Sequence, residues 1–183
     1  MSPWKGLWKL RIPSRTKTLM WRAVFEALPT CVNLMKQKVL TDRTCQLCGL
    51  DLESTFHALW SYPKLNAVWA LHFGPLRDDA NECSTFQDLF QVFLEKGHPT
   101  DLLAMVSSHV WLKRNKLKLG EMVADLRLLN SSVSEALLEF QQANNTGSSP
   151  PLPIVKSSGS LPLQIGSKLI LTVPFFKRVV KLV

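Results

Sequence analysis

The chain has 183 residues, 46% of them hydrophobic and 20% charged, with a net charge of +8. That length suits one domain with a real core plus attachments and argues against two full-sized domains, and the composition excludes a chain disordered throughout. The charge is uneven: residues 1–40 hold eight Lys/Arg against one Glu, residues 41–146 hold nine against thirteen acids, and residues 147–183 hold five against none.

Basic ends favour phosphate backbones or acidic partner surfaces through long-range attraction, without choosing a sequence. A solvated basic surface is the plainer account of the same counts. Four cysteines behind an N-terminal stretch with no apolar core of signal-peptide length point to an intracellular, reducing setting without a disulfide framework. The longest apolar stretch, residues 169–176, is too short to span a bilayer, so no membrane partner is expected.

In chain order, Trp4, Leu7, Trp8, Leu10 and Ile12 form an apolar leading segment closed by Pro13. Spacings of three and four then place Trp21, Val24, Phe25 and Leu28 on one helical face, with Arg15, Lys17 and Arg22 largely turned away from it. Pro29 stops this helix, and Thr30 is the expected N-cap of a short one over 31–38. A tight loop over 41–44 delivers Cys45. Residues 53–60 read as a short helix carrying His57, and Pro63 opens another running through Val68 and Trp69.

The chain is polar and turn-like over 74–81. Ser84 is the expected cap of a helix carrying Phe86, Leu89, Phe90, Phe93 and Leu94, which ends near Gly97. Residues 100–118 and 121–143 read as two further helices. At Asn144 the composition turns to Asn, Ser, Gly and Pro, the signature of a linker, and poor order is expected beyond it.

One cluster carries recognisable chemistry. Cys45 and Cys48, two residues apart, sit in a turn that can aim both sulfurs at one ion, and His57 on the following helix can approach from the other side. Gly49 supplies the positive φ such a turn often needs. Ordinary reduced thiols beside a packed histidine are the competing account.

Residues 4–69 resemble the zinc-binding domain of reverse transcriptases from plant non-LTR retrotransposons. The resemblance runs through W-K-G-L-W-K-L-R-I-P at 4–13, Trp21-Arg22-Ala23, Ala27 to Thr30, Asn33-Leu34, C-Q-L-C-G at 45–49, Glu53, His57-Ala58-Leu59, Pro63 and Val68-Trp69. It implies zinc as the cofactor, with Cys45, Cys48 and His57 as ligands. The fourth ligand, a Cys just before the Pro, is Tyr62 here, which a single base change produces from Cys.

A neutral phenol is a poor donor, and structural zinc contributes an apparent ~10 to 16 kcal/mol to folding, so this substitution is expected to weaken the site and the ordering of its loop. Cys31 or Cys83 could stand in if the fold brought one close. The resemblance continues in Val110-Trp111 through Arg114-Asn115, a W-x-x-R-N segment read as a Trp in a helical core with Lys113, Arg114, Lys116 and Lys118 solvated. At 168–176, K-L-I-L-T-V-P-F-F relates by deletion of one base to K-L-N-F-D-G-A-V-F, a strand that opens ribonuclease H domains of such elements, which implies a frameshift after Leu169.

The expected architecture is mainly α. A zinc-knuckle-like helical domain over 1–73 precedes a helical extension over 74–143, then a linker and a poorly ordered tail over 144–183. The expected function is a non-catalytic nucleic-acid-binding remnant of a retrotransposon polyprotein. Lys5, Lys9, Arg11, Arg15, Lys17 and Arg22 would meet RNA or DNA phosphates, with Trp4 and Trp8 available for base stacking although core burial is the commoner fate of such rings. The alternative is a degenerate, partially folded product prone to self-association through exposed apolar faces. No catalytic residue and no small-molecule substrate are expected. Asp78-Asp79 has no partner carboxylates, and neither a nucleotide-cradling glycine loop nor a Ser/His/Asp set is present.

Overall fold

A computed structural model describes residues 3–76, 80, 82–123, 125 and 129–145. Seven α-helices are found among them: α1 (Pro3–Lys9), α2 (Ser14–Val24), α3 (Cys31–Lys36), α4 (Asn66–Phe73), α5 (Phe86–Glu95), α6 (Thr100–Lys118) and α7 (Leu129–Asn145). A π-helical turn, His57–Ser61, and two 3-10 turns, Pro63–Leu65 and Gly74–Leu76, complete the helical content. The described residues contain no β-strand beyond an isolated antiparallel bridge between Thr44 and Leu52. The fold is mainly α, as the periodicity predicts. Asp78, Asp79 and the whole stretch from residue 146, with its proposed frame change, lie outside the described residues.

Local chemistry explains most boundaries. Thr30 caps α3 by accepting from the Asn33 N–H, and Thr85 caps α5 through a reciprocal box with Asp88. The capping residue is therefore Thr85 and not Ser84, whose hydroxyl instead reaches Asp88 from one position further out. Gly120 takes a φ of 74° and ends α6 in a turn, and the helix expected over 121–143 is found as Leu129–Asn145.

The α2 face also differs from its prediction. Its buried side is Thr16, Met20, Ala23 and Val24, while Trp21 and Phe25 are exposed. The helix stops at Val24, yet Phe25 keeps its place above Trp21, with its N–H on the Trp21 carbonyl at 3.1 Å, so the two rings share an outer face; Glu26 at φ 50° then turns the chain and takes only Leu28 out of the helical register. The leading segment is itself a helix, and it buries Gly6 and Leu7 while showing Trp4 and Trp8 to solvent. Gly6 permits close approach of α1 to α5, since a Cβ there would sit 2.5 Å from a Leu94 methyl.

The core draws on helices from both sides of residue 73. Trp60 stacks on Trp69 at 4.7 Å between ring centres, and Phe73 meets Phe93 edge-on at 5.1 Å. Leu7, Met20, Leu28, Leu59, Phe86, Phe90, Leu103, Val110 and Trp111 belong to the same buried cluster. Helix α6 runs through its middle, against α2, α7 and the π-helical turn. No helix among the described residues is long and apolar enough to cross a membrane.

Candidate metal centre

The segment from Arg43 to Glu53 closes on itself as a small hairpin. Asp42 accepts from the Thr44 N–H and hydroxyl, the Cys45 N–H donates to the Asp51 carbonyl at 2.7 Å, and the Glu53 N–H donates to the Arg43 carbonyl at 2.9 Å. Within it the Gly49 N–H returns to the Cys45 carbonyl at 2.7 Å, and Gly49 has the φ of 68° that the turn demands. These bonds point both cysteine side chains inward.

The Ser54 hydroxyl caps the next turn by accepting from the His57 N–H at 3.0 Å. That places His57, buried at the start of the π-helical turn, opposite the hairpin.

The ligand atoms of Cys45, Cys48 and His57 all lie within 4.8 Å of one another. Cys48 Sγ is 3.5 Å from His57 Nε2, and a sulfur and a nitrogen sharing a tetrahedral zinc would stand about 3.5 Å apart. Nδ1 of the ring faces Asp51 at 3.9 Å, too long for a direct hydrogen bond but on the side where a carboxylate orients a ligating histidine. Burial lowers the His57 pKa against the opposing pull of Asp51 and Glu53, which favours the neutral, ligating form. Burial raises that of Cys45. At Cys48 burial acts in the same sense, but the N–H groups of Asp51 and Leu50 and the Cys45 thiol outweigh it and lower the pKa.

Tyr62 takes its place beside this triangle. It is buried, its ring meets that of His57 edge-on at 5.9 Å between centres, and with Cys45, His57 and Leu65 it lines a cavity of about 20 Å³. Burial first, then the neighbouring Cys45 and Cys48, raise the phenol pKa. Tyr62 is thus held neutral and adds no thiolate, so the residues present fit zinc at three corners and leave the fourth without a strong donor. Neither Cys31 nor Cys83 joins the cluster.

Cys31 belongs to an adjoining group that sequence reasoning missed. Glu53, 1% exposed, accepts from Arg114 Nε at 3.1 Å and from Arg114 Nη2, from Lys118 Nζ at 2.7 Å and from the Cys31 N–H at 2.9 Å. Lys118 also reaches Cys31 Sγ at 3.2 Å, and Cys45 Sγ stands 3.9 Å from Glu53 Oε1. The expectation of a solvated Arg114 and Lys118 is therefore corrected: Arg114 is buried over the Trp111 ring at 4.6 Å, and both cations tie α6 to the back of the hairpin. Lys113 is likewise engaged, on the Asp125 carbonyl at 3.1 Å. Burial would raise the Glu53 pKa, but Arg114 and Lys118 overcome it and hold the carboxyl at about 2. Glu53 is in turn one of the groups that raise the Cys45 pKa, after burial.

The basic residues sit elsewhere. Lys5 and Lys9 are exposed on α1, Arg15 and Arg22 on α2, and Arg11 on the connection between them. Lys17 is half-buried, with Nζ on the Trp8 carbonyl at 3.1 Å, and Arg22 Nη2 donates to the Ala27 carbonyl at 3.2 Å.

Residues 1–69 match the family described as zinc-binding in reverse transcriptase. The matched segment contains the whole Cys45, Cys48, His57 triangle and Tyr62. A protein of Arabidopsis thaliana named as a ribonuclease H protein is 32% identical over 63 residues, 34% of this chain and 10% of that relative. The chain thus aligns with about a tenth of the relative's length. No solved structure matches. The family match ends at residue 69, well short of Arg114 and Lys118, which brace the hairpin from α6.

Proposed function

We propose that the protein is a non-catalytic, nucleic-acid-binding remnant of a retrotransposon polyprotein whose zinc site is impaired at Tyr62. The observation that carries this reading is the convergence of Cys45, Cys48 and His57 beside a buried Tyr62, inside the segment that matches the reverse-transcriptase zinc-binding family. The basic N-terminal helices supply the electrostatic part, with Lys5, Lys9, Arg11, Arg15, Lys17 and Arg22 as the phosphate-facing set. When bound, zinc would serve as a structural ion joining the hairpin to the π-helical turn.

The test compares zinc affinity of the wild type with Tyr62→Cys by competition against a chromophoric chelator, alongside binding of the wild type to nucleic acid across a salt series. Divided over four ligands, the free energy of a structural zinc gives about 3 kcal/mol each, so Tyr62→Cys should tighten zinc by roughly a hundredfold. Nucleic-acid binding should weaken steeply as salt rises. A wild type that already holds one zinc as tightly as Tyr62→Cys would overturn the impaired-site reading, and binding that is absent or indifferent to salt would overturn the remnant reading.

A further inference from the structure

We infer that the face formed by α1 and the end of α2 is a stacking platform for unpaired bases of single-stranded nucleic acid. This deepens the nucleic-acid reading above and rests on it. The chain divides its six tryptophans evenly. Trp60, Trp69 and Trp111 are buried, whereas Trp4, Trp8 and Trp21 are 44%, 46% and 40% exposed and are joined by Phe25 at 56%. The exposed rings form a continuous line: Trp8 meets Trp4 at 5.4 Å, Trp4 meets Phe25 at 6.2 Å, and Phe25 meets Trp21 at 6.2 Å. Large rings half in water are not held there by core packing, and each leaves ring surface available to a flat partner.

Charge selects the partner. On α1 the column Trp4/Trp8 lies beside the column Lys5/Lys9, about 100° further around the helix and also exposed. Arg22 is exposed next to Trp21, and Lys17 reaches the Trp8 carbonyl. Within the first forty residues Glu26 is the one acid. Aromatic rings bordered by cations match a strand that presents π-faces and phosphates in alternation. A protein-binding face would instead be depleted in Lys around its aromatic centre. Duplex ends and grooves offer the rings little, so the platform should distinguish unpaired from paired strands.

The test uses the full chain, fluorescence anisotropy with a labelled oligothymidylate and with a mixed-sequence duplex of the same length, and sedimentation velocity. Wild type should bind the single strand more tightly than the duplex. Trp4→Ala with Trp8→Ala should weaken the single strand by about fivefold or more and leave the duplex nearly unchanged. Trp4→Phe with Trp8→Phe should restore most of the loss. Lys5→Gln with Lys9→Gln should weaken both ligands and lower the single-strand salt slope by about 1.4. If the Trp variant binds the single strand like wild type while the Lys variant weakens both ligands, the platform is overturned and the general nucleic-acid reading stands. If wild type binds neither ligand, both fall. If the Trp variant abolishes a dimer without changing strand affinity, the patch is a contact between copies of this chain and the platform is overturned.

Discussion

Replacing Arg114 by Met tests whether α6 braces the metal hairpin through a buried ion pair. The substitution keeps an unbranched apolar side chain but removes the guanidinium that lies over Trp111, and with it both nitrogens that reach Glu53, a carboxylate 1% exposed. Breaking a buried pair from one side costs about 3 to 5 kcal/mol, because the remaining charge is stranded. Lys118 stays 2.7 Å from the same carboxylate, which places the expected loss at the low end, about 3 kcal/mol. Set against a typical total of about 5 to 15 kcal/mol, that is a large fraction, and at this size it lowers Tm by about 10 °C.

Urea and thermal unfolding of the metal-free protein, followed by tryptophan emission, provide the measurement. Glu53→Gln with Arg114→Met should recover part of the loss, since the buried carboxylate is then gone and the one cation left without it is Lys118, whose side chain is 16% exposed. The pH dependence has a definite sign. The Glu53 pKa falls from 4.5 to about 2 on folding, so its stabilisation is fully present above about 4.5 and is lost as pH drops through about 2. Arg114→Met should shrink that acid loss. A fall of less than about 1 kcal/mol, the worth of an exposed pair, would refute the buried-brace argument.

Residues 1–73 expressed alone should show weak helical circular dichroism and non-cooperative melting, because they lack Phe93, Val110, Trp111 and both cations of Glu53; a sharp transition would mean that the first segment folds alone. Thr85→Ala removes the acceptor for the Asp88 N–H and one arm of the capping box, and should cost about 1 kcal/mol in denaturant unfolding. In the encoding transcript, inserting one base after the Leu169 codon should make 168–176 a strand with Asp at its centre, position 172; codons that give no such strand would dismiss the frame change.

How much of this was legible in the sequence follows from the range of the forces involved. The Thr30 cap and the full span of α6 depend on residues within a few turns of each other, and local spacing sufficed to predict them, while the grouping of Cys45, Cys48 and His57 needed the family resemblance beside the spacing. The orientation of α2 did not follow, because spacing groups Trp21 and Phe25 with Val24 whereas packing buries Met20, Ala23 and Val24 and leaves both rings outside, and the left-handed turn at Glu26 separates Leu28 from them. Apolar content alone did not decide between stacking and core burial for Trp4 and Trp8; α1 buries Gly6 and Leu7, with Gly6 close to Leu94, and leaves both rings exposed.

The pairing of Glu53 with Arg114 crosses 61 residues of chain and has no periodic signature. Its consequence reaches the central expectation about the site. A loop ordered mainly by zinc should lose its form when Tyr62 replaces a thiolate. Here the hairpin has anchors that need no metal: the ladder from Cys45 to Asp51, the Thr44 and Leu52 bridge, and Glu53 held by two cations and the Cys31 N–H. Because none of those anchors uses the Tyr62 side chain, the function proposed above implies that loss of the fourth ligand would weaken the ion's hold without releasing the backbone that presents the other three. A domain built this way can keep the shape of a zinc module after its affinity has declined, and restoring the single thiol would meet ligands already in position.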